Sequence, residues 1–148
     1  FKLAIEAIKS FNKPYLIGAH VSEGVKLPSG ENISEIITKI DHKKLLGVML
    51  SCVSPENYEK NLDEIKSLGV PFGFKLNGFV TTKPAAGYTN TFNKSKTGNP
   101  NEFLGHREDL IPEKMALFVK KFKEAGATIL GGCCETRPAH IKEMARLK

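Results

Sequence analysis

Several features that would place this chain in a familiar class are missing from its sequence. No apolar run approaches the roughly 20 residues needed to cross a bilayer, so we predict no transmembrane helix. The opening residues lack the basic and apolar regions of a secretory signal. They begin in the middle of a helical pattern, and we therefore expect the chain to be a piece of a longer protein. No GxGxxG motif follows the first apolar run, which makes a dinucleotide-binding domain a weak alternative.

Cysteine is scarce, and its number argues against a disulfide-stabilised protein. The chain has 3 cysteines, and none of them forms a CxxC motif. A small secreted protein more often shows an even number of cysteines arranged as a disulfide framework. We therefore expect a reducing, cytoplasmic setting, where spaced cysteines more often bind metals or take part in catalysis.

The positive charge of the chain is spread out. The net charge of +6 comes mainly from lysines scattered along the sequence, with short clusters only at Lys43-Lys44 and Lys120-Lys121. A nucleic-acid groove would require clustered cations with interleaved aromatic side chains. We therefore predict a solvated lysine-rich surface, with neither a nucleic acid nor a membrane as partner.

Short apolar runs alternate with helical patterns along the 148 residues, a length that suggests one domain. After a first helix over residues 1–11, strands are predicted over 15–20, 46–52, 71–77 and 127–132. Helices are predicted to begin near Asn32, Ser54, Pro112 and Pro138. Near-continuous apolar strands between amphipathic helices predict an α/β fold with a parallel sheet. Four such βα units form either an open sheet or half of an eight-stranded barrel, since a complete barrel needs about 250 residues.

A long polar stretch interrupts this alternation over residues 80–108. It is rich in Gly, Asn, Thr and Lys and contains Pro84 and Pro100. Loops of this length in compact domains are usually functional lids or disordered segments. We predict a long loop or lid here.

The three cysteines fall at the ends of predicted strands. Cys52 ends the second strand, and Cys133-Cys134 end the fourth. The carboxyl ends of parallel strands share one edge of the sheet, which in barrels is the edge that carries the active site. Adjacent residues of a regular strand point to opposite faces, so the backbone must turn if both vicinal cysteines are to bind one ion. We expect Gly131-Gly132 to permit that turn.

Other interpretations of the cysteines remain open at this point. Either vicinal cysteine alone is read more simply as a small apolar residue at the end of a buried strand. A Cys52–Cys133 disulfide would leave Cys134 as an unpaired thiol. Taken together, the three favour a zinc site, and three protein thiolates would leave one position open, as in catalytic zinc sites.

Two segments resemble the cysteine motifs of the homocysteine S-methyltransferase family. The first is Gly47-Val48-Met49-Leu50-Ser51-Cys52-Val53-Ser54-Pro55. The second is Ile129-Leu130-Gly131-Gly132-Cys133-Cys134, followed by Thr136, Pro138, His140 and Ile141. The resemblance covers essentially residues 1–148 and implies the C-terminal half of a (β/α)8 TIM barrel, which leaves a missing N-terminal half-barrel or self-association to complete the fold. Two departures stand out: Glu135 occupies a position where the family pattern has glycine, and Leu76-Asn77-Gly78-Phe79 replaces the usual Pro-Asn-Ser-Gly-Glu.

The resemblance also implies a reaction and its participants. We expect a Zn²⁺-dependent methyltransferase in which Cys52, Cys133 and Cys134 bind the metal and homocysteine receives a methyl group to form methionine. The methyl donor would be S-methylmethionine, S-adenosylmethionine, a betaine or methylcobalamin. His20 and Asn77, each at a strand end, are candidate substrate-binding residues. Their alternatives are a hydrogen-bonded structural histidine and an amide bound to a loop backbone. A rival interpretation is an inactive half-barrel assembly module with a structural or vestigial metal site.

Overall fold

A computed structural model describes residues 2–40, 42–83 and 101–147 of the chain. Its helices are α1 (Lys2–Phe11), α2 (Ile33–Ile37), α3 (Pro55–Lys60), α4 (Leu62–Ser67), α5 (Pro112–Glu124) and α6 (Pro138–Ala145). Its strands are β1 (Tyr15–Ala19), β2 (Leu45–Val53), β3 (Phe72–Leu76) and β4 (Ile129–Gly132). Two 3-10 turns cover His42–Lys44 and Glu102–Leu104.

The four strands form one sheet in the order β1-β2-β3-β4, and every neighbouring pair is parallel. Helices lie between successive strands, as connections between parallel neighbours require. The α/β prediction with four βα units is confirmed, and the arrangement is that expected of half a TIM barrel. None of the helices in the described ranges is long and apolar enough to span a membrane.

One face of the sheet packs against the helices and forms the core. Val48, Leu50 and Phe74 have no exposed surface on this face. The rings of Tyr58 from α3 and Phe122 from α5 meet Phe74 edge to face, with centroid distances of 5.0 Å from Tyr58 and 5.6 Å from Phe122. Such aromatic pairs add to the stabilisation from burial alone. This cluster fixes how α3 and α5 sit on the two central strands.

The opposite face of the sheet is much less covered. Leu16 is 44% exposed, and Gly18, two residues further along β1, is exposed as well. Met49 and Ser51 are partly buried on this face, and Lys75 is exposed there. In a complete barrel this parity of residues would point to the interior, which is normally filled with side chains. Lys75 therefore does not interrupt β3, because its ammonium group points away from the core.

The helix predicted to start at Ser54-Pro55 begins there but does not run unbroken to Gly69. The Ser54 hydroxyl accepts a hydrogen bond from the Asn57 N–H, and Pro55 occupies the first helical position. Asn61, with φ −96° and ψ −2°, then separates α3 from α4. Its buried amide donates to the Asn57 and Gly24 carbonyls. One of these bonds joins Asn61 to the loop after β1 and the other joins it to α3, at the point where the two helices meet.

The predicted lid over 80–108 lies only partly within the described residues, because residues 84–100 fall outside them. Phe79 forms a short antiparallel bridge with His106. Arg107 pairs with Glu56 at 2.7 Å and with Asp109 at 2.8 Å. The described end of the stretch is therefore attached to the start of α3, and its role as a lid stays a prediction.

Replacing Tyr58 by Phe should stabilise the protein slightly. The Tyr58 side chain is fully buried, and its hydroxyl has no hydrogen-bond partner in the described part of the chain. Because a buried unpaired polar group lowers stability, Tyr58→Phe should raise the free energy of unfolding by about 1 kcal/mol in urea denaturation. Tyr58→Ala, which also removes the ring, should lower it by about 3–5 kcal/mol. A destabilised Tyr58→Phe protein would show that the hydroxyl has a partner.

Candidate metal centre

The sulfur atoms of Cys52, Cys133 and Cys134 come together at the carboxyl edge of the sheet. The three sulfurs all lie within 4.8 Å of one another. The Cys134 sulfur is 3.8 Å from that of Cys52 and 3.9 Å from that of Cys133. A disulfide would require about 2.05 Å between sulfurs, so all three are free thiols. The two strand ends therefore meet as the parallel arrangement predicts.

A bulge in β2 turns Cys52 toward its partners. Ser51 pairs with Lys75 and Val53 pairs with Leu76, so Cys52 is an extra residue without a partner across the ladder. Its φ of +56° is in the left-handed region, which is uncommon outside glycine. In a regular strand Cys52 would share the helix-packed face of Leu50. Because of the bulge, the side chain that packs next to Leu50 on this face is that of the fully buried Val53, and not that of Cys52.

The vicinal cysteines lie in a turn just beyond β4, as the sequence required, but the glycines do not produce that turn. Gly131 and Gly132 remain in regular parallel pairing with Lys75 and Leu76. The left-handed residue is Glu135, with φ +60°. This positive φ explains why the family pattern has glycine at position 135. Gly132 is needed for space instead, because a Cβ there would lie 2.3 Å from the Thr136 hydroxyl oxygen.

The last residue of β3 and the two residues after it bind both cysteine-bearing segments. The Leu76 carbonyl accepts the Cys133 N–H at 2.7 Å, and the Gly78 N–H donates to the Cys134 carbonyl at 3.0 Å. On the other side the Asn77 N–H donates to the Val53 carbonyl at 2.9 Å. This run, Leu76-Asn77-Gly78, is called the linking segment below.

The three thiols shift one another's pKa values. The hydrogen bond from the Cys52 thiol outweighs burial and lowers the pKa of Cys133 to about 5. The hydrogen bond to Cys133, together with burial, raises the pKa of Cys52 far above its usual value. Burial and the charge of Cys133 also raise the pKa of Cys134. One anion is therefore tolerated without a cation, because additional thiolates this close would repel each other.

Two of the three sulfur separations fit a tetrahedral metal. Zn²⁺–thiolate bonds of about 2.3 Å at tetrahedral angles place the sulfurs about 3.8 Å apart. The separations of 3.8 and 3.9 Å are close to that value. An all-thiolate set is typical of zinc and other thiophilic metals. The three predicted ligands are thus brought together in a form suited to the metal that they were predicted to bind.

The two predicted substrate-binding residues lie beside this cluster. His20 is exposed just after β1, and its Nδ1–H donates to the Ser51 carbonyl at 3.1 Å. Asn77 is fully buried; its Nδ2 lies 3.7 Å from the Cys52 sulfur, and its Oδ1 accepts the Phe79 N–H at 3.1 Å. The alternatives raised from sequence, a structural histidine and an amide bound to a loop backbone, are both seen. A contact of either residue with substrate stays a prediction.

His140 does not belong to the thiol cluster. Its ring caps α6 and packs that helix against its neighbour. Its Nδ1 accepts the Arg137 N–H at 3.0 Å, which caps the start of α6. Its Nε2–H donates to the Leu110 carbonyl at 2.9 Å. Both ring nitrogens are thereby used in packing α6 against the segment before α5.

Two features of the site were missed at the level of sequence. One of them is the bulge at Cys52. The buried residues Val48, Leu50 and Val53 are not all two positions apart, and this uneven spacing could have indicated an extra residue in the strand. The other is a polar contact between Glu135 and His106, in which the Glu135 Oε2 lies 3.1 Å from the His106 Nδ1. It joins the cysteine turn to the end of the polar stretch, and no spacing in the sequence relates these two residues.

An open cleft of about 600 Å³ lies next to the cluster. Its walls come from the segments that follow β1, β2 and β3, and they include Ser22, Glu23, Ser54, Asn57, Lys60 and Asn77. Asn77 belongs to both the cleft and the surroundings of the Cys52 sulfur. Clefts at the carboxyl ends of parallel strands are where α/β proteins usually bind small molecules.

Comparison with known proteins gives one consistent result. A family model described as homocysteine S-methyltransferase matches residues 1–147. The homocysteine S-methyltransferase 1 of Saccharomyces cerevisiae is 30% identical over 140 residues, covering 90% of this chain and 39% of that protein. The homocysteine S-methyltransferase 2 of Arabidopsis thaliana is 29% identical over 121 residues, covering 81% and 32%. The selenocysteine Se-methyltransferase of Brassica oleracea var. italica is 30% identical over 125 residues, covering 81% and 31%. The chain thus spans about a third of the length of these relatives.

Glycine at position 135 should stabilise the cysteine turn relative to alanine. Glu135→Gly and Glu135→Ala both remove the pair with His106, but only glycine adopts φ +60° without strain. We expect Glu135→Gly to be more stable by about 1 kcal/mol in chemical denaturation, after allowing for the greater unfolded-state freedom of glycine. Equal stability of the two variants would show that the turn relaxes to another conformation.

Proposed function

Because the chain belongs to the homocysteine S-methyltransferase family, we propose that the protein transfers a methyl group to the sulfur of homocysteine and forms methionine. Cys52, Cys133 and Cys134 would hold the Zn²⁺ ion that this chemistry needs. The observation that carries the proposal is the meeting of three free thiols within 4.8 Å at the carboxyl edge of a parallel sheet. Selenocysteine is a related acceptor, since one relative is named for its methylation.

The reaction needs an anionic sulfur close to an electrophilic methyl group. A thiol has a pKa of about 8.5, and its thiolate is the nucleophile. Cys52, Cys133 and Cys134 would hold a Zn²⁺ ion, and that ion would supply the positive charge that keeps the homocysteine sulfur deprotonated at neutral pH. The sulfur lone pair then forms the new S–CH₃ bond, the bond between methyl and donor breaks, and its electron pair leaves with the donor. The thiol proton passes to solvent.

The residues of this chain act as ligands and as a support, and none of them forms a covalent intermediate. Three thiolates on a divalent ion leave a net negative centre, which keeps electron density on the substrate sulfur. The linking segment holds the two cysteine segments in place through backbone hydrogen bonds. The site is therefore organised before substrate arrives, which lowers the reorganisation needed in the transition state.

The cleft beside the cluster is a suitable place for the small molecules of the reaction. We place the homocysteine backbone or the methyl donor there, because Glu23 and Lys60 supply both signs of charge and Asn77 connects the cleft to the thiols. The donor would be S-methylmethionine, S-adenosylmethionine, a betaine or methylcobalamin. His20 is retained as a candidate substrate contact from the neighbouring strand end. The free cysteines are consistent with the expected reducing cytoplasmic setting.

The less covered face of the sheet bears on how the site is completed. Leu16 and Gly18 are exposed on this face, and a (β/α)8 barrel has four more strands than this sheet. We propose that an N-terminal half-barrel covers this face, and self-association is the alternative. The same observation favours the rival function, an inactive half-barrel assembly module in which the metal site is structural or vestigial.

Metal content tests the ligand assignment. We expect about one zinc per chain in the purified protein and much weaker binding by Cys52→Ser, Cys133→Ser and Cys134→Ser, measured by competition with a chromogenic chelator. The loss should exceed the roughly 10–100-fold effect of changes outside the ligand shell, because a ligand itself is replaced. Ser51→Ala, next to Cys52, is the matched control and should bind zinc normally. Equal zinc in wild type and Cys52→Ser would rule out the proposed site.

Metal removal tests the mechanism. Methyl transfer from S-methylmethionine to homocysteine should be lost after dialysis against a chelator and should return when Zn²⁺ is added, because the substrate thiol is then deprotonated again. Activity that persists without the metal would contradict the mechanism. A zinc-loaded protein that associates with itself and transfers no methyl group would favour the assembly-module interpretation.

A further inference from the structure

Asn77 is held in one orientation next to a proposed metal ligand. Its side chain is fully buried, and its Oδ1 accepts the Phe79 N–H at 3.1 Å. Since only the oxygen of the amide accepts a hydrogen bond, the nitrogen must face the other way. That nitrogen, Nδ2, lies 3.7 Å from the Cys52 sulfur and donates to it. The loop backbone thus determines which end of the amide meets the sulfur.

The three sulfurs receive N–H groups from different sources. The backbone N–H of Cys134 is near the sulfurs of Cys133 and Cys134; it adds to the lowering of the Cys133 pKa by the Cys52 thiol, and at Cys134 it only opposes the larger effect of burial, which raises the pKa. Cys52, in the bulge of β2, receives its N–H from the side chain of Asn77. The hydrogen bond to Cys52 is therefore one that a single substitution can remove.

A thiolate ligand that accepts an N–H is a weaker nucleophile. The hydrogen bond stabilises the anionic lone pair and is stronger when the acceptor is charged. In a methyltransferase site this matters, because the Cys52 sulfur is itself close to the reactive methyl group. Attack by Cys52 would form an S–CH₃ bond, release the donor with its electron pair and leave a neutral thioether, a poor zinc ligand.

We propose that Asn77 is a positioning residue that keeps Cys52 a metal ligand and protects it from alkylation by the methyl donor. This inference rests on the proposed function, because it concerns a metal-bound Cys52 beside an electrophile. It does not require Asn77 to touch substrate. The buried Asn77 amide thereby has a role beyond lining the wall of the cleft.

Site-resolved alkylation of the zinc-loaded protein tests this role. Wild type, Asn77→Ser and Asn77→Asp are treated with iodoacetamide, and the rate at each cysteine is followed by peptide mass spectrometry. Both variants keep an oxygen that can accept the Phe79 N–H and lose the N–H donor to sulfur. We expect the rate at Cys52 to rise about tenfold in Asn77→Ser, the loss of one hydrogen bond to a charged acceptor, with Cys133 and Cys134 changed by less than about twofold. The charge of the aspartate weakens zinc binding as well, so Asn77→Asp should show the larger change at Cys52.

Asn57→Ser is the matched control. Asn57 is also buried, but its amide donates to the Ser22 and Gly24 carbonyls. Loss of that amide should leave the relative rates at the three cysteines unchanged.

Three results would count against the inference. An unchanged rate at Cys52 in both Asn77 variants would overturn it, and so would an equal rise at all three cysteines, which indicates a general loosening of the site. Zinc content is measured on the same samples. Absence of zinc from wild type would overturn the proposed function and this inference together, whereas zinc-bound wild type with an insensitive Cys52 would overturn the inference alone.

Discussion

The hydrogen bonds made by Leu76, Asn77 and Gly78 hold the candidate site together. Leu76 ends β3, and Asn77 and Gly78 follow it, so the three residues lie between the two segments that carry cysteine. Their backbone groups bind Cys133 and Cys134 on one side and Val53 on the other. The Asn77 amide adds a contact to the Cys52 sulfur itself. Strand order is therefore what matters most, because β3 must lie between β2 and β4 for one short segment to reach both.

The close approach of the three thiols has an electrostatic consequence for the chemistry of the site. Three thiols held within 4.8 Å share one negative charge easily and three only with difficulty. A divalent cation bound by all three sulfurs would remove the repulsion. Such a centre suits thiol alkylation, because the substrate sulfur needs a low pKa and a high electron density. The family membership of the chain agrees with this chemistry.

The parts of the structure that follow from regular periodicity were predictable from the sequence. The strands, their parallel arrangement and the meeting of Cys52 with Cys133 and Cys134 depend on apolar patterns and on the common edge of a parallel sheet. The local geometry was not predictable in the same way. The turn after β4 was assigned to Gly131-Gly132, whereas Glu135 takes the left-handed conformation. Tertiary hydrogen bonds to the linking segment determine that choice, and they do not appear in local sequence.

The central claim is that the three sulfurs bind one metal ion together. X-ray absorption at the zinc edge of the metal-loaded protein tests it most directly, because it reports the type, number and distance of ligand atoms. The account predicts three sulfur ligands at about 2.3 Å, with a fourth sulfur appearing when homocysteine is added. A first shell made of nitrogen and oxygen, or a shell with fewer than three sulfurs, would contradict it.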